Sequence, residues 1–185
     1  MPQFPPLPGW DAMHPLLVHF PIVMLLLAPL FILIAAILRP PANRPYLTVA
    51  LVMLLLGTFS LYLAASSGEE AAELADRDGA VNAVISSHQA LASTCEILFS
   101  IFSACFAGIY LWPRFSRRLE TRINSTVAPL VFVSLYSMGL LYLINTAHAG
   151  GRLVHEFGIH AVMPQDSVPA AEQVTAPPSQ AGQGN

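Results

Sequence analysis

The sequence contains no lysine, and its eight cationic residues are all arginine. Only 10% of its residues are charged. A soluble domain carries roughly a quarter, so these charges cannot cover a water-facing surface. The net charge is -3 and the arginines fall in short connections, which leaves no basic stripe for nucleic acid. Only two cysteines are present, Cys95 and Cys105. They fall too far apart on one expected helix to bridge each other and read as small apolar packing residues. No serine stands near a histidine and an aspartate in a recognisable pattern, so nucleophilic catalysis has no candidate and no catalytic residue is assigned. Met1 to Trp10 carries no positive charge, and no small-residue cleavage site follows the first apolar run. That run is therefore read as a retained span rather than a signal peptide.

What is present is hydrocarbon: 55% of the residues are hydrophobic and the mean hydropathy is +0.59. Four runs are long enough to cross a core of roughly 30 Å. They cover about 16–38, 46–65, 90–112 and 127–147, the last extending as helix to about 157. The expected fold is all-α: an integral membrane four-helix bundle. Residues 1–13 form an N-terminal segment rich in proline, with Trp10 at headgroup level. Residues 14–160 form the transmembrane domain. Residues 161–185, rich in Pro, Gln, Ala and Ser, are expected to be a disordered tail. Pro21 lies in the first turns of its helix, where a missing N–H matters least, whereas Pro29 should kink it. Ser86 or Ser87 could cap the third helix. The acidic stretch 67–87 reads as a connection with at most a turn or two of helix. No internal repeat is evident in residue identity.

Arginine sets the orientation. Arg39 and Arg44 lie in the first short connection, and Arg114, Arg117, Arg118 and Arg122 follow Pro113 in the third. The positive-inside rule puts both in the cytoplasm. Both termini and the acidic stretch then face outward, into the periplasm of a bacterium, and the chain is a multi-pass inner-membrane protein.

That orientation collects the histidines. His14 and His19 open the first span, His88 opens the third, and His148 and His155 close the fourth, all at the outer side. His160 lies in the approach to the tail and is read as an ordinary polar residue. Ionisable groups at such depth usually face the bundle interior and serve function. At about 1.5 Å per residue, His19 lies ~7 Å deeper than His14, and His148 and His155 share one face ~10 Å apart. Matching by depth pairs His19 with His148, the surest ligands, and His14 with His155, with His88 completing either pair. Imidazole pairs on facing helices hold b-type haem, and one or two such haems are expected. Zinc or copper also accepts imidazole. Gly150 and Gly151 would let a backbone approach a flat ring. Glu96, on the third span with no basic partner near in sequence, is a candidate proton or quinol site.

The segments His14-Pro15-Leu16-Leu17-Val18-His19-Phe20-Pro21-Ile22 and His148-Ala149-Gly150-Gly151-Arg152-Leu153-Val154-His155, with His88 between them, resemble the predicted membrane proteins called domain of unknown function 2231. The likeness covers about residues 10–160. The last segment resembles the version found beside c-type cytochromes, although Glu156 and Phe157 stand before the glycine that often follows its final histidine directly. The resemblance implies a four-span membrane protein in redox company and is consistent with haem b. The expected function is a b-type cytochrome passing electrons between quinol and a periplasmic c-type cytochrome, an electron-transfer subunit of a quinol–cytochrome oxidoreductase. A copper- or zinc-binding membrane module and a non-redox assembly subunit are the alternatives.

Overall fold

The computed structural model describes residues 8–75, 78–115 and 126–159, with the side chains of 113–115 left aside. The expected tail, His160 and most of the arginine-rich third connection lie outside the described residues. A 3-10 turn, Asp11–Met13, leads into α1, His14–Leu17, and α2, His19–Ile37. The others are α3, Arg44–Glu73, α4, Gly79–Phe115, and α5, Ala128–His155. No strand occurs among the described residues, and four helical stretches are long and apolar enough to cross a membrane. Sequence neighbours pack side by side, and α2 meets α5 to close the ring.

Two of the expected boundaries are corrected. Residues 67–87 are not a loop. Helix α3 runs on through Glu69, Glu70 and Glu73, and α4 starts well before Ser86 and Ser87. The reason is that the apolar stripe outlasts the hydrophobic run. Val81, Val84 and Ile85 are buried at helical spacing, while the residues between them are exposed. Asp78 takes the capping role expected of the serines, accepting from the Val81 N–H at 2.9 Å.

The interior is built from close approaches. Gly57 lets α3 lie on Leu25 of α2, where an added Cβ would fall 2.8 Å from a Leu25 methyl. Gly139 does the same for α5 on Phe102 of α4, at 2.7 Å. Small residues bring helices together in this way when lipid supplies no hydrophobic drive. Phe99, Phe102, Phe106, Phe132 and Tyr136 form an edge-to-face and stacked cluster between α4 and α5. Between α3 and α4, Thr58 and Ser103 share a buried hydrogen bond of 2.8 Å. Tyr136 donates across the bundle to the Leu25 carbonyl at 2.8 Å. That carbonyl is the one whose helical donor Pro29 cannot supply, so the tyrosine fills a vacancy that the proline creates.

The bundle also repeats itself. The buried positions of α3 are Ala50, Leu54, Gly57, Leu61, Ala64 and Ser67, together with Thr58. One constant shift along the chain carries the first six onto Phe132, Tyr136, Gly139, Leu143, Thr146 and Ala149, all buried in α5. A second shift carries Pro21, Leu25 and Ile32 of α2 onto Cys95, Phe99 and Phe106 of α4, all of them buried. The hairpin formed by α1, α2 and α3 and the hairpin α4–α5 are thus two versions of one unit, alike in burial but sharing few identities, Gly57 with Gly139 and Leu61 with Leu143 among them.

Candidate functional site: a paired histidine at one end of the bundle

Each hairpin contributes one histidine, held in the same way. The Nδ1–H of His14 donates to the Ala64 carbonyl of α3 at 2.7 Å. The Nδ1–H of His88 donates to the Thr146 carbonyl of α5 at 2.9 Å. A carbonyl can only accept, so each contact fixes the proton on Nδ1 and leaves the Nε2 lone pair available in the neutral ring. This is the hydrogen bond that orients a metal-ligating histidine. One turn beyond each acceptor stands a glycine, Gly68 and Gly150. A Cβ on Gly68 would lie 2.8 Å from Cε1 of His14, and one on Gly150 would lie 3.1 Å from Cε1 of His88. The imidazoles lie against bare backbone that any larger residue would close. Gly151 has nothing within 4 Å of such an atom, so only the first of the two adjacent glycines serves the ring.

The surroundings are polar on a small scale. Buried Ser67 donates to the Ala64 carbonyl at 2.9 Å, sharing that acceptor with His14. On the other side Thr146 donates to Tyr142 at 2.8 Å, and the Cys95 thiol lies 3.4 Å from its hydroxyl. Cys95 is therefore a fully buried partner of the residue that holds His88, while Cys105 is exposed.

The two rings meet in a T-shaped contact. Their centres are 6.3 Å apart and their planes are at 89°. Two imidazoles on opposite sides of one metal ion, each bound at about 2 Å, put their centres about 6 Å apart. The observed separation is of that size. Among the described residues, no group of three His, Cys, Asp or Glu side chains is placed to hold a metal ion.

The other expected ligands are placed differently. His19, His148 and His155 are exposed on the outside of their helices. The pair that forms is His14 with His88, not His19 with His148. Rotation about the helix axis decides this: five residues at about 100° each turn His19 ~140° away from His14. His148 stands between Thr146 and Gly150, both of which face the pair, and so projects to the other side of α5. Glu96 is partly buried on α4, eight residues along that helix from His88. At the end of α5, Arg152 grips Glu156 through contacts of 2.9–3.0 Å, and this guanidinium holds the Glu156 carboxyl below the usual carboxylate range. Sequence reasoning missed Gly68, Ser67 and the two acceptor carbonyls. Their signal was the run of small residues in Ala64-Ala65-Ser66-Ser67-Gly68, which matches the small residues around Gly150.

The fold and site define a four-helix membrane bundle with one half-buried histidine from each of two equivalent hairpins. The chain belongs to the family described as predicted membrane protein (DUF2231), whose model matches residues 11–163. No curated protein and no solved structure matches it.

Proposed function

We propose that the chain is a membrane-bound b-type cytochrome whose one haem His14 and His88 would hold between them. The observation that carries this reading is the pair itself: two imidazoles from facing hairpins, each with Nδ1 tied to a backbone carbonyl, 6.3 Å apart. Haem would supply a one-electron carrier there, and a pair of protein imidazoles is enough to hold it. Zinc takes four ligands, three of them from protein even in open catalytic sites. With no third His, Cys, Asp or Glu donor grouped with them among the described residues, the two imidazoles suit the haem better than the zinc module.

The chain's own residues would then do three things. Ala64 and Thr146 keep the proton on Nδ1 and strengthen Nε2 as a donor. Gly68 and Gly150 leave room for the rings. The apolar bundle below excludes water. The arginine asymmetry supports an outer, periplasmic position in a bacterial inner membrane, with both termini on that side. Electrons would pass between quinol, with Glu96 as a candidate proton acceptor, and a periplasmic c-type cytochrome. The carboxylates of Glu69, Glu70 and Glu73 project from the outer end of α3 and favour a basic partner surface.

Reduced-minus-oxidised visible spectra of the purified protein test this. A Soret and α band of a bis-histidine haem is expected. His14→Ala and His88→Ala should each abolish it, and His148→Ala should leave it. Loss with His148→Ala and retention with His88→Ala would refute the assignment. A colourless protein carrying copper or zinc would favour the metal module.

A further inference from the structure

The two equivalent hairpins give each helix face an internal control. On α3 the outward positions Val49, Val52, Leu56 and Phe59 are exposed and, with Leu63, apolar. That is what a lipid-facing surface requires. The same positions of α5, under the shift that superimposes the buried residues, are Val131, Ser134, Met138, Leu141 and Asn145, followed by His148. All six are exposed. Both stripes lie in stretches apolar enough to span the bilayer, yet the α5 stripe carries an amide and a hydroxyl where α3 carries leucine and valine.

The hydroxyl is satisfied locally, since Ser134 donates to the Leu130 carbonyl at 3.0 Å. The amide is only half satisfied. Asn145 donates one N–H to Leu141 at 2.7 Å. Its second N–H and its oxygen have no partner among the described residues. Hydrocarbon cannot supply one, and asparagine in membranes bonds across helices. The spacing of the stripe alternates three and four residues, the heptad rule for a helix that crosses another at a shallow left-handed angle. An asparagine at one such position is the usual device that fixes register and pairing.

We propose that this face of α5 binds a second copy of the chain, forming a two-fold dimer in which Asn145 of each copy bonds the other. A second copy is favoured over a foreign helix because the groups left over are self-complementary. Two copies inserted the same way are parallel, so a two-fold axis along the membrane normal sets each position against itself. An amide with one free donor and one free acceptor pairs with its own image. A neutral imidazole such as His148 has the same property. At the rim, Glu156 neutralises Arg152 within each chain, which removes the repulsion that two facing arginines would bring. The inference does not depend on the cofactor, and the histidine pairs of both copies would lie at the same end of the assembly.

Disulfide trapping in native membranes tests it, using the full chain with Cys105→Ser so that only buried Cys95 remains. Met138→Cys and Leu141→Cys should give covalent dimers on oxidation. Leu135→Cys and Ile144→Cys are comparably exposed but lie on the flanks of the stripe, and should give few. Adding Asn145→Leu to Leu141→Cys should lower the trapped fraction several-fold. Energy transfer between differently tagged wild-type copies checks pairing without any cysteine, and should be seen. Equal trapping at all four positions, trapping only to a different polypeptide, or no energy transfer would overturn the proposal.

Discussion

Tyr136→Phe removes one oxygen from a fully buried ring and leaves its volume nearly unchanged, so no cavity forms. What it exposes is the Leu25 carbonyl. In an unbroken helix that carbonyl would accept from residue 29, but residue 29 is proline and has no N–H. The tyrosine hydroxyl at 2.8 Å stands in for it. Hydrogen bonds between membrane helices average about 0.6 kcal/mol because the unfolded state finds other partners. A buried acceptor left with no donor costs about 1–3 kcal/mol. The second figure should govern here, because the proline denies the carbonyl its local alternative. Pro29→Ala restores the missing N–H, and on that background Tyr136→Phe should cost well under about 1 kcal/mol. The cycle should therefore show coupling beyond the ~0.3–0.5 kcal/mol scatter of independent sites. Reversible unfolding in mixed micelles, followed by circular dichroism, measures all four corners. If the two changes prove additive, the tyrosine does not compensate the proline, and the account of how α2 and α5 are joined fails.

The glycines make a graded set. Gly68→Ala should displace His14 and lose most of any haem signal, because its Cβ would fall 2.8 Å from the ring. Gly150→Ala, at 3.1 Å from His88, should do so more mildly, and Gly151→Ala should be silent. Titration of purified variants with haem reads the order. Thr58→Val breaks the buried contact with Ser103 and should cost about 0.6–1.7 kcal/mol in the same unfolding assay. In detergent solution Cys105, exposed on its helix, should be labelled by a small maleimide faster than buried Cys95; mass spectrometry of the labelled protein decides. A cytoplasmic reporter fused after Asn185 should be inactive, because the arginine rule puts that end outside.

The class of fold was legible because it follows from amounts. Too few charges and four long apolar runs leave a membrane bundle as the simple solution, and the span centres agree with the helices found. Boundaries were less legible wherever burial continued beyond the hydrocarbon, as with Val81, Val84 and Ile85 at the start of α4. The histidines were legible as a group but not as a pair. Depth along the chain was used to match them, whereas rotation about each axis settles which of His14 and His19 faces inward. The repeat was hidden for a related reason. It is carried by burial, so Leu25 and Phe99, or Leu54 and Tyr136, occupy equivalent places although they differ in size and identity. The roles of Ala64 and Thr146 were out of reach because their backbone oxygens do the holding, and a sequence records side chains.

The repeat bears on how the site would work. In each hairpin the histidine sits near the start of the first helix and its carbonyl acceptor near the end of the second. Both hairpins begin at the same end of the bundle, so both histidines lie there together. The opposite end is fastened by contacts of another kind, Thr48 with Tyr110 at 2.6 Å and Thr126 with the Ala36 carbonyl at 3.4 Å, with no histidine among the described residues there. A chain whose two halves ran in opposite senses would have placed one histidine at each membrane face, as a carrier across the bilayer needs. This parallel repeat places both histidines at one end, and no histidine stands at the other among the described residues. If His14 and His88 hold haem, exchange by a single chain is therefore confined to one side, and a two-fold dimer would double that side without bridging to the other. Protein in sealed vesicles, with an internal reductant and an external acceptor but no quinone, should pass no electrons between them. Transfer that required neither quinone nor a partner subunit would mean that the one-ended placement of the pair does not limit the path.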